Sequence, residues 1–261
     1  MKAVWSILSY AVVIYVGLCL FLYLTQRSVI YYPVKGPEFP GVDAIQLNNN
    51  GEVLNAWVVN PGKQNAILYF GGNAEPVVYN APMFRELFNN YTVYLTDYRG
   101  YGNSTGSPTE SGLYADALAW YDKLASQHRQ ISVIGRSLGA GVAIYLVDQR
   151  EVKRLALVTP FDSATNMARH YYPYFPASFL LKDKYDSLSR AKRIKIPILV
   201  IAGERDEIVP RARTQSLVDM LPKNQTRTVI IKGVGHNDLS SNPAYAAELS
   251  QFINMGQVME R

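Results

Sequence analysis

The chain opens on one long apolar run and then alternates short apolar runs with longer amphipathic stretches. Residues 4–24 carry no charge, and their polar members are Ser6, Ser9, Tyr10, Tyr15 and Tyr23. At about 1.5 Å per residue a helix of this length spans roughly 30 Å, the hydrocarbon thickness of a bilayer. The run passes straight into Thr25-Gln26-Arg27 without a small-x-small cleavage site, and bulky Leu18 precedes Cys19. An uncleaved single-pass anchor is therefore expected, rather than a removed signal peptide or a lipoprotein signal. Trp5 and Tyr31-Tyr32 stand where interfacial aromatics belong. Lys2 flanks one end and Arg27 and Lys35 the other, which favours neither orientation of the rest of the chain.

Past a Pro- and Gly-punctuated linker over 31–40, two strands are expected at 42–47 and 53–59 around Asn48-Asn49-Asn50-Gly51, where Asn-Gly signals a hairpin. This pair predicts an antiparallel edge. Residues 66–70 read Ala-Ile-Leu-Tyr-Phe, a continuous apolar run typical of a strand buried on both faces. Further strands are predicted at 91–97, 131–135, 155–158, 196–203 and 227–232. Helices are predicted at 76–88, 113–127, after Gly139, at 212–221 and at 243–254, the second on a stripe of Leu113, Ala117, Trp120, Tyr121 and Leu124. Regular strand–helix alternation predicts an α/β fold with one doubly wound, mostly parallel sheet. The pattern fails over 164–188, where His170, Tyr171, Tyr172, Tyr174, Phe175 and Phe179 crowd together and Pro173 and Pro176 interrupt any helix. A small cap insertion, about 161–190, is expected there. The division is then an anchor over 1–27 and one domain over 28–261.

Composition narrows this picture. With 261 residues, 48% hydrophobic and 18% charged, the chain suits one globular domain with a sizeable core. The net charge of +5 is not gathered into a block, and the basic patches at 190–195 and 211–213 read as solvated faces. A membrane surface, not nucleic acid, is the expected partner for the excess. A single cysteine, Cys19, excludes an intrachain disulfide and a Cys-rich metal site. Asn-x-Ser/Thr matches at Asn90, Asn103 and Asn224 decide no compartment.

The chemistry centres on Gly135-Arg136-Ser137-Leu138-Gly139, between the run 131–134 and the small-residue segment from Ala140. Strand, sharp turn and helix in that order lift a serine hydroxyl above the C-terminal edge of a sheet. A serine is a weak nucleophile without a base, and the base needs an orienting acid. Three histidines are available. His128 ends a polar helix and is expected to be solvated, His170 lies in the cap, and His236 follows the last strand in a Gly-flanked loop. His236 is the expected base. Asp206, just past the strand at 196–203, is the favoured acid, while Asp162, Glu204, Glu207 and Asp238 compete. Leu138 is expected to supply one oxyanion N–H, and Asn73 or Ala74 in Gly71-Gly72-Asn73-Ala74 the other.

The elbow 135–139, the loop 70–74, Asp97-Tyr98-Arg99-Gly100-Tyr101-Gly102-Asn103-Ser104, the acid loop 203–206 and Gly235-His236 together resemble an α/β-hydrolase. More narrowly the chain is similar to the Bem46-like serine hydrolases, a group that includes membrane-anchored members. The resemblance covers about 28–252. It departs at the oxyanion loop, where Gly71 replaces a histidine and Glu75 a glycine. A carboxylate there is expected to disfavour anionic substrates. The combined expectation is a membrane-anchored serine hydrolase acting on a small-molecule or lipid-like ester or thioester, with no metal or cofactor. A peptidase or amidase and a non-catalytic membrane-anchored binding protein are the alternatives.

Overall fold

The computed structural model describes residues 1–255, so 256–261 of the expected domain lie outside the described residues. Helix α1 (Lys2–Ile30) comes first, followed by β1 (Asp43–Asn49), β2 (Glu52–Val59), β3 (Asn65–Phe70), α2 (Ala81–Leu87) and β4 (Tyr91–Thr96). Next are α3 (Glu110–Ala125), β5 (Gln130–Arg136), α4 (Leu138–Gln149), β6 (Leu155–Val158), α5 (Ala164–Tyr171), α6 (Ala177–Leu180) and α7 (Leu188–Ala191). The chain continues through β7 (Ile198–Gly203), α8 (Arg211–Met220), β8 (Thr226–Ile231) and α9 (Pro243–Asn254).

The strands form one sheet in the order β1-β2-β4-β3-β5-β6-β7-β8. β1 and β2 form a hairpin, β2 meets β4 antiparallel, and the other neighbours run parallel. Asn50 and Gly51 turn the hairpin with φ of 51° and 82°, the paired positive angles of the tight turn that Asn-Gly favours. Both faces of the parallel part are covered. Along β3, Ala66, Leu68 and Phe70 enter one core with Trp120 of α3 and Ile144 of α4, while Ile67 and Tyr69 enter the other with Phe84 of α2 and Phe252 of α9. This explains the unbroken apolar run: neither face of the strand meets water. The register aligns the strand ends. Phe70 pairs with Gly135, Arg136 with Val158, and Gly203 with Ile231, so the following loops all leave one edge.

Local differences from the sequence expectations have physical causes. The helix expected at 76–88 is a 3-10 turn at Val77–Asn80 followed by α2, because Pro82 lacks an N–H and is tolerated only in a first turn. α3 starts at Glu110, three residues before the apolar stripe, where the Thr109 hydroxyl accepts from Gly112 N. The stretch after the anchor is no free linker. α1 runs unbroken past residue 27 to Ile30, Tyr31 is buried against Tyr185 (Oη to Oη 2.8 Å), and Gly102 N donates to Val34 O.

α1 is long and apolar enough to cross a membrane, and most of its side chains are exposed. It is a candidate transmembrane span. Its last turns are docked on the cap. Gln26 is buried, accepting from Lys182 N and donating to Leu180 O, and Arg27 pairs with Asp183 at 2.9 Å. Farther along the helix, Tyr15 Oη donates to Tyr174 O.

Candidate active site

Ser137 sits between β5 and α4 with φ 50° and ψ −112°, a conformation that non-glycine residues rarely adopt. The flanking glycines are required by space. A Cβ at Gly135 would collide with the Gly139 carbonyl, and one at Gly139 with the Phe70 carbonyl. The turn can therefore press against the end of β3, and the serine hydroxyl stands clear of it.

His236 Nε2 lies 3.1 Å from Ser137 Oγ. Its Nδ1 lies 3.0 and 2.9 Å from the two carboxylate oxygens of Asp206. A carboxylate only accepts, so Nδ1 carries the proton and Nε2 is left to accept from the serine hydroxyl. Both side chains are about 5% exposed. Asp206 Oδ1 also accepts from Ile208 N and Val209 N, which fixes the carboxylate. Ser137, His236 and Asp206 thus form one hydrogen-bonded chain across loops from β5, β8 and β7. The four competing acids are engaged elsewhere. Asp162 is buried with Arg213, Asn166 and Ser163 N. Glu204 accepts from Gly233 N, Glu207 from His236 N, and Asp238 from Gly235 N. The last three brace the histidine loop through its backbone.

The other histidines lie apart. His128 is half-buried rather than solvated, bonded to Tyr94 Oη and Lys63 O, and burial lowers its pKa. His170 is exposed and meets the ring of Tyr171 edge-on.

The loop after β3 faces Ser137 across a cleft of about 520 Å³, lined by Gly72, Asn73, Ala74, Arg136 and His236 among others. Leu138 follows the serine at the start of α4. The Glu75 carboxylate accepts from Gly72 N (2.6 Å), Tyr69 Oη (2.6 Å) and Asn80 Nδ2 (2.7 Å), and lies 3.5 Å from Arg136 Nη1. Burial and this carboxylate raise the Tyr69 phenol well above its ordinary pKa, so it stays a donor. Glu75 therefore faces Arg136 and braces its own loop. Its bond occupies the Gly72 N–H and leaves the amides of Asn73, Ala74 and Leu138 as the candidate oxyanion donors. A side chain at Gly71 would collide with Val77.

Sequence reasoning assigned nothing to Arg136 or to the Asn73 side chain. Arg136 also donates to His236 O, joining the oxyanion loop to the histidine loop. The signal available was an arginine inside an apolar elbow and an odd glutamate in a facing loop, charges of opposite sign that each lack a local partner. Asn73 Nδ2 donates to Ile30 O, and its Oδ1 accepts from Tyr32 N and Tyr101 Oη. The end of α1 is thereby stapled to the site. Among the described residues, no cluster of three or more His, Cys, Asp or Glu side chains is placed to hold a metal ion.

Comparison with known proteins agrees with this architecture. A family model described as the alpha/beta hydrolase fold matches residues 65–190, and one described as serine aminopeptidase S33 matches residues 177–241. An uncharacterized protein of Mycobacterium tuberculosis is 37% identical over 237 residues, covering 85% of this chain and 84% of that protein. Protein bem46 of Schizosaccharomyces pombe is 27% identical over 283 residues, 97% of this chain and 95% of its own. Among solved structures, the Pyrococcus furiosus esterase Pf2001 shares the fold, with a TM-score of 0.69 at 19% identity over 86% of this chain and 98% of that one. The chain belongs to the α/β-hydrolase family and resembles its Bem46-like group.

Proposed function

We propose that the chain is a serine hydrolase that cleaves a carboxylic ester or thioester, with residues 1–27 as a membrane anchor, 28–261 as the catalytic domain and a cap at about 161–190. The observation that carries this reading is the hydrogen-bonded series Asp206–His236–Ser137, with Ser137 held in a strained turn at a helix start. Ser137 Oγ attacks the acyl carbonyl while His236 Nε2 takes its proton. Asp206 holds the imidazole tautomer and balances the imidazolium. The tetrahedral oxyanion is met by Leu138 N and by the amide of Asn73 or Ala74. Collapse expels the leaving alcohol or thiol, protonated by His236, and water then releases the acyl group by the same steps. The candidate anchor and the aromatic cap support an apolar acyl substrate. Ester chemistry is in keeping with the Pyrococcus furiosus esterase Pf2001, a protein of the same fold.

A second reading, a peptidase or amidase, is favoured by the serine aminopeptidase model over 177–241. A fluorophosphonate probe tests the nucleophile. Wild type labels and Ser137→Ala does not; a folded wild type that stays unlabelled, or equal labelling of both, overturns the proposal in favour of a binding protein. Turnover of p-nitrophenyl butyrate with none of an aminoacyl p-nitroanilide supports the esterase, and the reverse result transfers the assignment to the peptidase.

A further inference from the structure

Beside the catalytic cleft lies a second depression, between the last turns of α1 and the cap. Its walls are carbon: Leu22, Val29 and Ile30 from α1 face Ala168, Phe175 and Leu181 from the cap. Gln26 is the one amide in the lining, and its polar atoms are occupied by Tyr23 O, Leu180 O and Lys182 N. The groove therefore offers a guest apolar contact and little hydrogen bonding.

The groove adjoins the cleft that holds Ser137. Ile30 lines the groove, and Tyr32, two residues on, lines the cleft. Tyr172 lines the groove, while its neighbour Tyr171 donates to Ile208 O at the cleft's rim. Asn73 ties the partition to the oxyanion loop through Ile30 O. Tyr174 and Phe179, in the same segment as Phe175, are 87% and 88% exposed. The cleft has a mixed lining, with Asn73, Glu75, Arg136 and Asn237 beside Tyr32, Pro76 and Ile208.

We infer that this groove is an acyl-chain site, taking the alkyl tail of a long-chain ester or thioester whose carbonyl is presented to Ser137. The inference rests on the serine hydrolase reading. Filling the groove removes its volume without touching the Ser137–His236–Asp206 chain. The full-length protein in detergent micelles is assayed on p-nitrophenyl palmitate and p-nitrophenyl butyrate. In Val29→Trp and in Ala168→Trp, the ratio of kcat/KM for palmitate to that for butyrate falls about tenfold or more, since several methylenes lose their contacts. A ratio within twofold of wild type in both variants overturns the inference.

A binding measurement separates this from failure of the hydrolase reading and from misfolding. Ser137→Ala, which cannot turn over, is irradiated with a hexadecyl ester bearing a diazirine at mid-chain. Crosslinks in the cap peptide 164–181, reduced by Val29→Trp, support the site even if no ester is hydrolysed. Crosslinks confined to residues 4–20 show general lipid contact only and overturn it.

Discussion

Ser137 is approached by two parts of the molecule built on opposite plans. Its floor consists of loops that leave aligned strand ends, and each is held by hydrogen bonds to backbone amides or by buried carboxylates. Its proposed roof is the segment 161–190, where α5 and α6 are short and Tyr172, Tyr174 and Phe179 are exposed. The floor is fastened to the sheet. The roof is fastened largely to α1 and α3, through Gln26, Arg27 and Tyr31 on one side and through Glu110, which accepts from Lys184 N and Tyr185 N, on the other. On the proposed function, reaction geometry and substrate choice belong to separable structures. Changes to the floor should alter the rate on every substrate, and changes to the roof should alter which substrate is preferred.

The largest expected effect breaks the floor at its centre. His236→Ala removes the base, and Asp206→Asn leaves an amide that stabilises the imidazolium less and can present the wrong partner to Nδ1. On the proposed mechanism each lowers kcat by about 10⁴-fold. The loss should be the same on butyrate and palmitate esters, measured by steady-state kinetics. Retained activity in His236→Ala would move the base elsewhere. A loss confined to one chain length would break the division between floor and roof.

The next effect concerns what the floor stands on. The loop after β4 supports the oxyanion loop, since Tyr98 Oη donates to Gly71 O and Tyr101 Oη to Asn73 Oδ1. Asp97 organises that support by accepting from Asn55, Trp57 and Asn103 N. Burial pushes its carboxyl up to about 6, against the opposing pull of those donors. Between the ordinary value of 3.8 and 6, the folded chain holds a proton there that the unfolded chain has released. Stability therefore falls as pH rises through this window and is level in this respect above it, by about 3 kcal/mol in total. Denaturation of the full chain at pH 4 and pH 7, wild type against Asp97→Asn, reads this as a slope present in the first and missing in the second. Equal slopes would remove Asp97 from the account.

The floor was also the more legible part of the sequence, and for a physical reason. Strands buried on both faces show as apolar runs, and a nucleophile turn needs small residues at fixed spacing, so β3, β5 and the elbow 135–139 are written locally. Ser137, His236 and Asp206 could be picked from motif, chain order and elimination. Contacts between distant segments leave no such mark. Nothing near Asn73 announces that its amide will hold Ile30 and Tyr32, and nothing near His128 points to Tyr94. The cap lacks periodicity because its helices are short and its partners lie on α1, more than a hundred residues away in the chain. Glu75 looked like a misplaced charge because its partner Arg136 sits on another strand end.

The smallest expected effect is the sharpest test of that last point. Glu75 touches the reaction only through others: it fixes Gly72, and it holds Arg136, which in turn donates to the carbonyl of His236. Glu75→Gln keeps the shape but replaces one acceptor oxygen by a donor facing donors, and it leaves Arg136 unpaired. The oxyanion loop should lose registration with Ser137 while the groove between α1 and the cap is untouched. Misplaced donors weaken binding of the transition state more than of the ground state. The expected result is a kcat lowered about tenfold with KM within twofold. The ratio of palmitate to butyrate turnover should stay at its wild-type value, because the substitution lies wholly in the floor. A rise in KM with unchanged kcat would make Glu75 a substrate contact, and a shifted chain-length ratio would show that floor and roof are one device.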